Sequence, residues 1–80
     1  MRLDKYLKVS RLMKRRTVAN EACDAGRVSV NGKIARASYE VKVGDLIEIG
    51  LGQKTMRVRV AAVAEHTLKE DAASLYTIEP

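Results

Sequence analysis

Ten lysine and arginine side chains in the first part of the chain are suited to binding an anion. Residues 1–36 carry these ten bases against three acids, a formal charge of +7, whereas residues 37–80 carry −2 and the whole chain carries +5. A charge distribution this uneven in a short chain favours a polyanionic partner bound at the basic segment. The bases are Arg2, Lys5, Lys8, Arg11, Lys14, Arg15, Arg16, Arg27, Lys33 and Arg36.

The run Lys14-Arg15-Arg16 stands immediately before Thr17, the predicted N-cap of a helix. Cations at that position repel one another and the positive end of the helix dipole, and a bound phosphate would offset this cost. Arginine can bind phosphate with two hydrogen bonds, whereas lysine acts as a point charge. The run therefore favours phosphate binding, and the alternative is a solvated basic surface that holds no ligand.

Asp4 is an acid among these cations. It stands four residues before Lys8, the favourable orientation for an ion pair along a helix. We expect Asp4 to orient Arg2, Lys8 or a neighbouring base rather than to contact phosphate, and we include it with the candidate binding residues for that reason.

Residue types used in catalysis or metal binding do not form a recognisable set. The chain has one histidine and one cysteine, and it lacks a glycine-rich phosphate loop and a carboxylate cluster. His66 is interpreted as a surface residue and Cys23 as a small core residue. We expect no catalytic residue, no metal site and no cofactor.

The aromatic residues indicate which kind of polyanion is bound. The chain has three tyrosines and no Phe or Trp; Tyr6 is interpreted as a core residue, and Tyr76 lies far from the basic segment. Scarce stacking residues favour recognition of folded RNA through its shape and phosphates over stacking of single-stranded bases. A helix-turn-helix DNA binder is disfavoured, because Gly26 ends the second helix where a recognition helix would need to continue.

Two helices must position most of the bases. Leu3, Tyr6 and Leu7 have the spacing of a helix with one buried stripe, and residues 9–13 are predicted to form a turn or break. If the two helices pack through Leu3, Leu7, Val18 and Ala22, their outer faces form one continuous basic surface. Three bases around the following hairpin would extend that surface: Arg27, Lys33 and Arg36.

The second helix is predicted to have Thr17 as its N-cap and to carry Val18, Ala22 and Ala25 on one stripe, with Ala19 and Cys23 beside it. Its small residues are predicted to let the helix pack closely; they are Ala19, Ala22, Cys23 and Ala25. Glu21 is assigned to its first turn, where the helix dipole favours an acid. Gly26 is predicted to end it, because glycine adopts the left-handed conformation without penalty.

Beyond Gly26 the apolar residues alternate with polar ones, which is the pattern of β-strands. Asn31-Gly32 between two short alternating runs predicts a hairpin, because both central residues of a type I′ turn need a positive φ. Val41 and Val43 alternate again before a turn at Gly44-Asp45. The later predicted segments are a strand at 46–49, a loop at 50–54, a strand at 56–60 that continues through 61–63, a weak helix at 66–74 and a closing strand at 75–78.

This order of elements predicts an α+β fold. Two N-terminal helices pack on a small, bent, mostly antiparallel sheet of four or five strands. Eighty residues are expected to form one domain, 1–80. The sequence has no apolar run near the roughly 18–20 residues of a membrane span and no signal-peptide stretch. With one cysteine as well, the chain is expected to be a soluble, cytoplasmic monomer with no membrane partner.

Several motifs together resemble the S4-type RNA-binding domain. They are Arg2-Leu3-Asp4-Lys5-Tyr6-Leu7, Arg15-Arg16-Thr17 at the start of a helix, Gly26-Arg27-Val28-Ser29-Val30-Asn31-Gly32, and Val43-Gly44-Asp45. Their order and spacing are far more specific than basic charge. The resemblance implies an S4-like fold whose RNA-binding face is made by the two helices and the loop after them. At matching positions it implies that these residues contact RNA or set the geometry of contact: Arg2, Asp4, Lys5, Arg15 and Arg16.

The chain also resembles stand-alone bacterial members of this family. The similarity includes the uninterrupted stretch 2–17, Gly52-Gln53-Lys54 and the segment 72–78, and the chain stops at Pro80 without the charged tail expected of such relatives. It implies a non-enzymatic factor of bacterial ribosome-associated quality control. Such proteins bind a large ribosomal subunit obstructed by a stalled nascent chain, and they touch its rRNA and its peptidyl-tRNA. They support C-terminal alanine tailing by a partner protein that delivers alanyl-tRNA.

Two related functions are alternatives. A heat-shock-type S4 protein also binds large subunits that carry nascent chains, but acts in their recycling; the lack of a long basic C-terminal extension is evidence against it. An RNA-binding domain of a modifying enzyme would need a catalytic domain on the same chain, for which 80 residues leave no room.

Overall fold

The computed structural model describes residues 1–65, 67 and 69–79. In this part of the chain no helix is long and apolar enough to cross a membrane. His66, interpreted above as a surface residue, lies outside the described residues. The elements are α1 (Leu3–Val9), α2 (Arg16–Asp24), β1 (Val28–Val30), β2 (Lys33–Ile34), β3 (Leu46–Leu51), β4 (Lys54–Val60), a 3-10 helix (Lys69–Leu75) and β5 (Tyr76–Glu79).

The strands of the described residues form one sheet of five in the order β2-β1-β3-β4-β5, and every neighbouring pair is antiparallel. Val58 and Val60 on β4 point to the buried face, whereas Arg57 and Arg59 lie on the exposed face. The buried face packs on α1 and α2 in one hydrophobic core. The predicted α+β fold, with two N-terminal helices on an antiparallel sheet, is confirmed.

The predicted buried stripe of α1 is confirmed. Leu3, Tyr6 and Leu7 have no solvent exposure, and the Tyr6 hydroxyl donates a hydrogen bond to the carbonyl oxygen of Leu75 at 2.7 Å. Full burial of a side chain of this size stabilises the fold by about 1.5–3 kcal/mol. After α1 the backbone turns, with Arg11 at a φ of 62°. The predicted break at 9–13 is therefore confirmed.

The predicted N-cap of α2 is wrong, and its buried stripe is only partly as predicted. The helix begins at Arg16, and its N-cap is Arg15 rather than Thr17, in an extended conformation without a side-chain cap. Ala22 is buried as predicted, but Val18 is 46% exposed. The stripe is completed by Ala19 and Cys23, which were predicted to lie beside it. These small residues also have the i, i+3, i+4 spacing of a helical face, and they let α2 lie closer to the core than the branched Val18 would.

The hairpin between β1 and β2 has the predicted turn. Asn31 and Gly32 have φ values of 53° and 85°, as the two central residues of a type I′ turn need. The alternating Val41 and Val43 lie in the loop between β2 and β3. Val41 anchors this loop in the core, whereas Val43 is exposed.

Two boundaries in the second half also differ from the prediction. β3 and β4 extend toward each other, so the predicted loop at 50–54 is reduced to a turn at Gly52-Gln53. Residues 61–63 do not continue β4; instead, the N–H groups of Ala61 and Ala62 both donate to the carbonyl oxygen of Leu75, at 2.9 and 3.1 Å. This contact turns the chain toward the 3-10 helix and β5.

Replacing Gly32 with alanine tests the hairpin turn. We expect Gly32→Ala to lower the free energy of unfolding by about 1–2 kcal/mol, because a side chain at positive φ is strained. No atom lies within 4 Å of the position its Cβ would take, so backbone conformation alone accounts for the loss. Urea denaturation measures it, with Gly50→Ala as the control, because that Cβ meets only an ordinary 3.5 Å contact and no positive φ. Equal losses in the two variants would contradict this explanation.

Candidate nucleic-acid interface

Asp4 is the centre of a cluster that joins the two helices. Its carboxylate is almost fully buried and accepts hydrogen bonds from Arg2 Nε at 3.3 Å, Arg16 Nη2 at 3.5 Å and Asn20 Nδ2 at 3.3 Å. The backbone N–H of Lys5 donates a further bond at 2.8 Å. We call Arg2, Asp4, Arg16 and Asn20 the Asp4 cluster.

The helix ends bring the Asp4 cluster together. Arg2 is the N-cap residue of α1, and Asp4 lies in the first turn of that helix. Arg16 is the first residue of α2, and Asn20 follows one turn later on the same face. Arg2 therefore reaches the carboxylate from the same helix end, whereas the core contact between α1 and α2 brings Arg16 and Asn20 to it.

The buried carboxylate remains charged at neutral pH. Burial raises the pKa of Asp4, but the hydrogen bonds from Asn20 and Arg16, the Arg16 charge and the Lys5 N–H lower it more, so the pKa lies below its ordinary value. Its negative charge offsets the repulsion between the two guanidinium groups.

Arg2 and Arg16 keep a face toward solvent. Their side chains are 50% and 48% exposed, although each forms an ion pair with the buried carboxylate. A guanidinium has more N–H donors than Asp4 uses, so each can also bind a phosphate oxygen. They border an open concavity of about 430 Å³. The residues around it are Arg2, Asp4, Arg16, Thr17, Asn20 and Glu21.

The remaining bases of α1 and the turn after it lie in another part of the surface. Lys5 forms an ion pair with Glu65. Lys8 and Arg11 border a small hollow together with Glu65 and Thr67. Among the described residues Asp4 makes its ion pairs with the two arginines, so the predicted Asp4–Lys8 pair is replaced.

The hairpin bases lie in further concavities. Lys33 and Arg36 line an open groove of about 700 Å³ with Ile34 and Tyr39, and Arg27 borders a hollow beside Gly50. Lys14 and Arg15 are exposed at the start of α2. The structure thus brings Arg2, Asp4 and Arg16 together, whereas the other candidate residues form flanking patches.

Asp45 centres a second buried network, which the sequence interpretation missed. Its carboxylate accepts hydrogen bonds from Asn31 Nδ2 at 3.1 Å, the Tyr39 hydroxyl at 3.0 Å and the Lys42 N–H at 3.0 Å. Burial raises the pKa of Asp45, but these bonds, the Lys42 N–H first, lower it below its ordinary value. The network holds the hairpin turn against the loop that precedes β3.

This loop supports the start of α1. The carbonyl oxygens of Tyr39 and Ala37 accept the N–H groups of Leu3 at 2.8 Å and Asp4 at 3.1 Å. They satisfy two donors that a helix N-terminus leaves without intrahelical partners. The Asp45 network therefore helps to hold Asp4 in place.

Asn20 is the member of the Asp4 cluster that the sequence interpretation missed. Its spacing of four from Arg16 is the signal that places both side chains on one face of α2.

Cys23 is buried, as predicted for a core residue. Burial raises the pKa of its thiol to about 11, with smaller contributions from the charges of Asp4 and Asp24. The thiol is therefore protonated at neutral pH. The described residues contain no group of three or more His, Cys, Asp or Glu placed to hold a metal ion.

The fold and this interface define the class of protein. The family model of the S4 domain matches residues 1–47, from the first residue to the start of β3. The chain belongs to the S4 domain family, and the resemblance found in the sequence is confirmed.

Relatives named "RQC P-site tRNA stabilizing factor" match almost the whole chain. The relative from Streptococcus pneumoniae is 55% identical over 78 residues, which cover 98% of this chain and 89% of that protein. The relative from Bacillus subtilis is also 55% identical over 78 residues, with coverage of 98% and 91%. The structure is also similar to a solved structure of trimeric heat shock protein 15 from Vibrio cholerae, with a TM-score of 0.91 and 28% sequence identity. The superposed residues cover 99% of this chain and 81% of the heat shock protein chain.

The lowered pKa of Asp4 predicts a loss of stability in acid. The unfolded chain binds the proton first as the pH falls, so the contribution of Asp4 is complete above its ordinary pKa of 3.8 and is lost as the pH falls through the lower folded-state pKa. We expect the free energy of unfolding, measured with urea between about pH 6 and pH 2.5, to fall steeply below about pH 4. In Asp4→Asn this decline should be shallower. Identical pH profiles for the two proteins would contradict the prediction.

Proposed function

We propose that residues 1–80 act as one RNA-binding domain of bacterial ribosome-associated quality control, without catalysis. In this proposal a cytoplasmic monomer binds the large ribosomal subunit that carries a stalled nascent chain. It contacts large-subunit rRNA and stabilises the peptidyl-tRNA. It thereby supports alanine tailing by a partner protein that delivers alanyl-tRNA.

The observation that carries the RNA-binding part is the geometry of the Asp4 cluster. Two guanidinium groups on different helices are held by one buried carboxylate, yet each is about half exposed. Fixed guanidinium groups lose less conformational entropy when they bind than free side chains do. Such a pair of arginines suits the phosphates of a folded RNA, because the RNA structure fixes the distances between those phosphates.

The flanking bases have supporting roles in this proposal. Lys14 and Arg15 lie beside Arg16 and contact neighbouring phosphates. Asp4 orients the arginines and does not touch RNA. The other candidate residues attract RNA from the surrounding surface and add contacts at its periphery. They are Lys5, Lys8, Arg11, Arg27, Lys33 and Arg36.

The relatives support the choice of RNA. Two of them carry a name that refers to stabilising tRNA in the P site, and each is 55% identical over nearly the whole chain. We therefore assign peptidyl-tRNA on the large subunit as the bound species.

Recycling of obstructed subunits is the second candidate function. The fold similarity to heat shock protein 15, at a TM-score of 0.91, favours it. Both functions require binding to a large subunit that carries a nascent chain, and they differ in the fate of that chain: it receives alanine in the first and is released without extension in the second.

Alanine substitution of Arg2 or Arg16 tests the proposal. We expect each variant to lose most of its co-sedimentation with large subunits that carry peptidyl-tRNA, with affinity lowered by about tenfold or more, because a charge-assisted hydrogen bond to phosphate contributes about 1.5–3 kcal/mol. The matched control is Arg57→Ala. Arg57 is 53% exposed and pairs with Glu48 at 3.4 Å, but it lies on the outer face of the sheet.

Wild-type co-sedimentation of both interface variants, with folding intact by circular dichroism, would contradict the proposal. A loss in Arg57→Ala equal to the loss in Arg16→Ala would indicate attraction by net charge only. Cells that express the Arg16→Ala variant distinguish tailing from the second candidate function. Nascent chains that lose their alanine tails in the Arg16→Ala strain support tailing, whereas unchanged tails with accumulating obstructed subunits support recycling.

A further inference from the structure

Glu21 borders the concavity of the Asp4 cluster, although an exposed acid there opposes phosphate binding. The dipole explanation from the sequence does not hold for it. Because α2 begins at Arg16, its first turn contains no acid, and Glu21 lies in the second turn. The effect of the helix dipole falls off within the first turn.

Contacts within the protein do not explain Glu21 either. Asp4, the other acid of the concavity, is buried and bound by two arginines and Asn20. Among the described residues, by contrast, the Glu21 carboxylate forms no ion pair or hydrogen bond. An ionised carboxylate accepts hydrogen bonds and cannot donate them. The concavity therefore presents one acceptor that the fold does not use.

The helix places this acceptor next to the arginine donors. Arg16 and Asn20 are four residues apart, as are Thr17 and Glu21, so the four side chains share one face of α2. Two half-exposed guanidinium groups lie on the same concavity. A ligand that fits has a negative oxygen for the guanidinium groups and, beside it, a hydrogen-bond donor for Glu21.

The minor groove of an RNA helix offers this combination. It is wide and shallow, and it displays ribose 2′-hydroxyls and base edges between the phosphates. Its hydrogen-bond donors include the 2′-hydroxyl and the exocyclic amino group of guanine. A bare phosphate surface offers no donor, so Glu21 would only repel it.

We propose that Glu21 accepts a hydrogen bond from a 2′-hydroxyl or a guanine amino group of the bound RNA while Arg2 and Arg16 hold the adjacent phosphates. This role rests on the proposed function, since it assumes that RNA occupies the concavity. Glu21 is then a specificity-determining residue, which makes the interface select the minor-groove edge of RNA over phosphates in general.

Binding measurements on Glu21 variants separate this role from simple repulsion. The probes are in vitro transcripts of tRNA and of large-subunit rRNA, and purified large subunits that carry peptidyl-tRNA. We expect Glu21→Ala to bind about tenfold more weakly, because it loses a hydrogen bond to a charged acceptor. Glu21→Gln, which keeps an acceptor oxygen without the charge, should fall between Glu21→Ala and the wild type.

Asp24→Asn is the matched control. Asp24 is exposed on the same helix and lies outside the concavity, and its variant also removes one negative charge. We expect its affinity to equal that of the wild type or to exceed it slightly. Thermal unfolding of each variant checks that α2 is intact.

Transcripts with scattered 2′-deoxy nucleotides or inosine identify the donor. A 2′-deoxy position that weakens binding of the wild type but not of Glu21→Ala assigns the ribose hydroxyl. An inosine position that behaves in this way assigns the guanine amino group. If every such position affects both proteins equally, Glu21 receives no hydrogen bond from RNA and the proposal is overturned.

Equal or tighter binding by both Glu21 variants would also overturn the proposal. If Arg16→Ala weakens binding in the same experiment, the proposed function stands and only the role of Glu21 fails. If the wild-type protein binds none of the probes, the proposed function fails, and the role of Glu21 fails with it.

Discussion

The burial of one carboxylate between two arginines is the interaction on which the interface depends. Asp4 contacts Arg2 from its own helix and Arg16 from the next, so it joins α1 and α2 as it gathers their charges. Two guanidinium groups would otherwise repel each other and move apart. The carboxylate is buried and inaccessible to RNA, whereas the exposed parts of the two arginines are accessible to it. The protein thus keeps an acid inside a surface suited to polyanions without presenting that acid to them.

The rest of the fold holds this carboxylate in place. The loop before β3 accepts the first N–H groups of α1, and Asp45 fixes that loop through the Tyr39 hydroxyl. The small side chains of Ala19 and Cys23 let α2 approach α1 closely. The buried carboxylate of Asp45 therefore supports that of Asp4 through backbone contacts.

Local patterns in the sequence were sufficient for much of the fold. The spacing of Leu3, Tyr6 and Leu7 located α1, and Asn31-Gly32 located the hairpin, because each signal acts within a few residues. The interface was only partly predictable, since Asp4 meets Arg16 and Asn20 across 12 and 16 residues of chain. Local rules paired Asp4 with Lys8 and made Thr17 the N-cap of α2, and the tertiary contact overrode both preferences.

A double-mutant cycle between Asp4 and Arg16 tests the central claim most directly. Dissociation constants for large subunits with peptidyl-tRNA are compared among the wild type, Asp4→Asn, Arg16→Ala and the double variant. If Asp4 acts by orienting arginines, Asp4→Asn weakens binding, and it weakens it less when Arg16 is already absent, with a coupling energy of about 0.5–3 kcal/mol. Strictly additive losses, or tighter binding by Asp4→Asn as expected from removing a negative charge near phosphates, would contradict the claim.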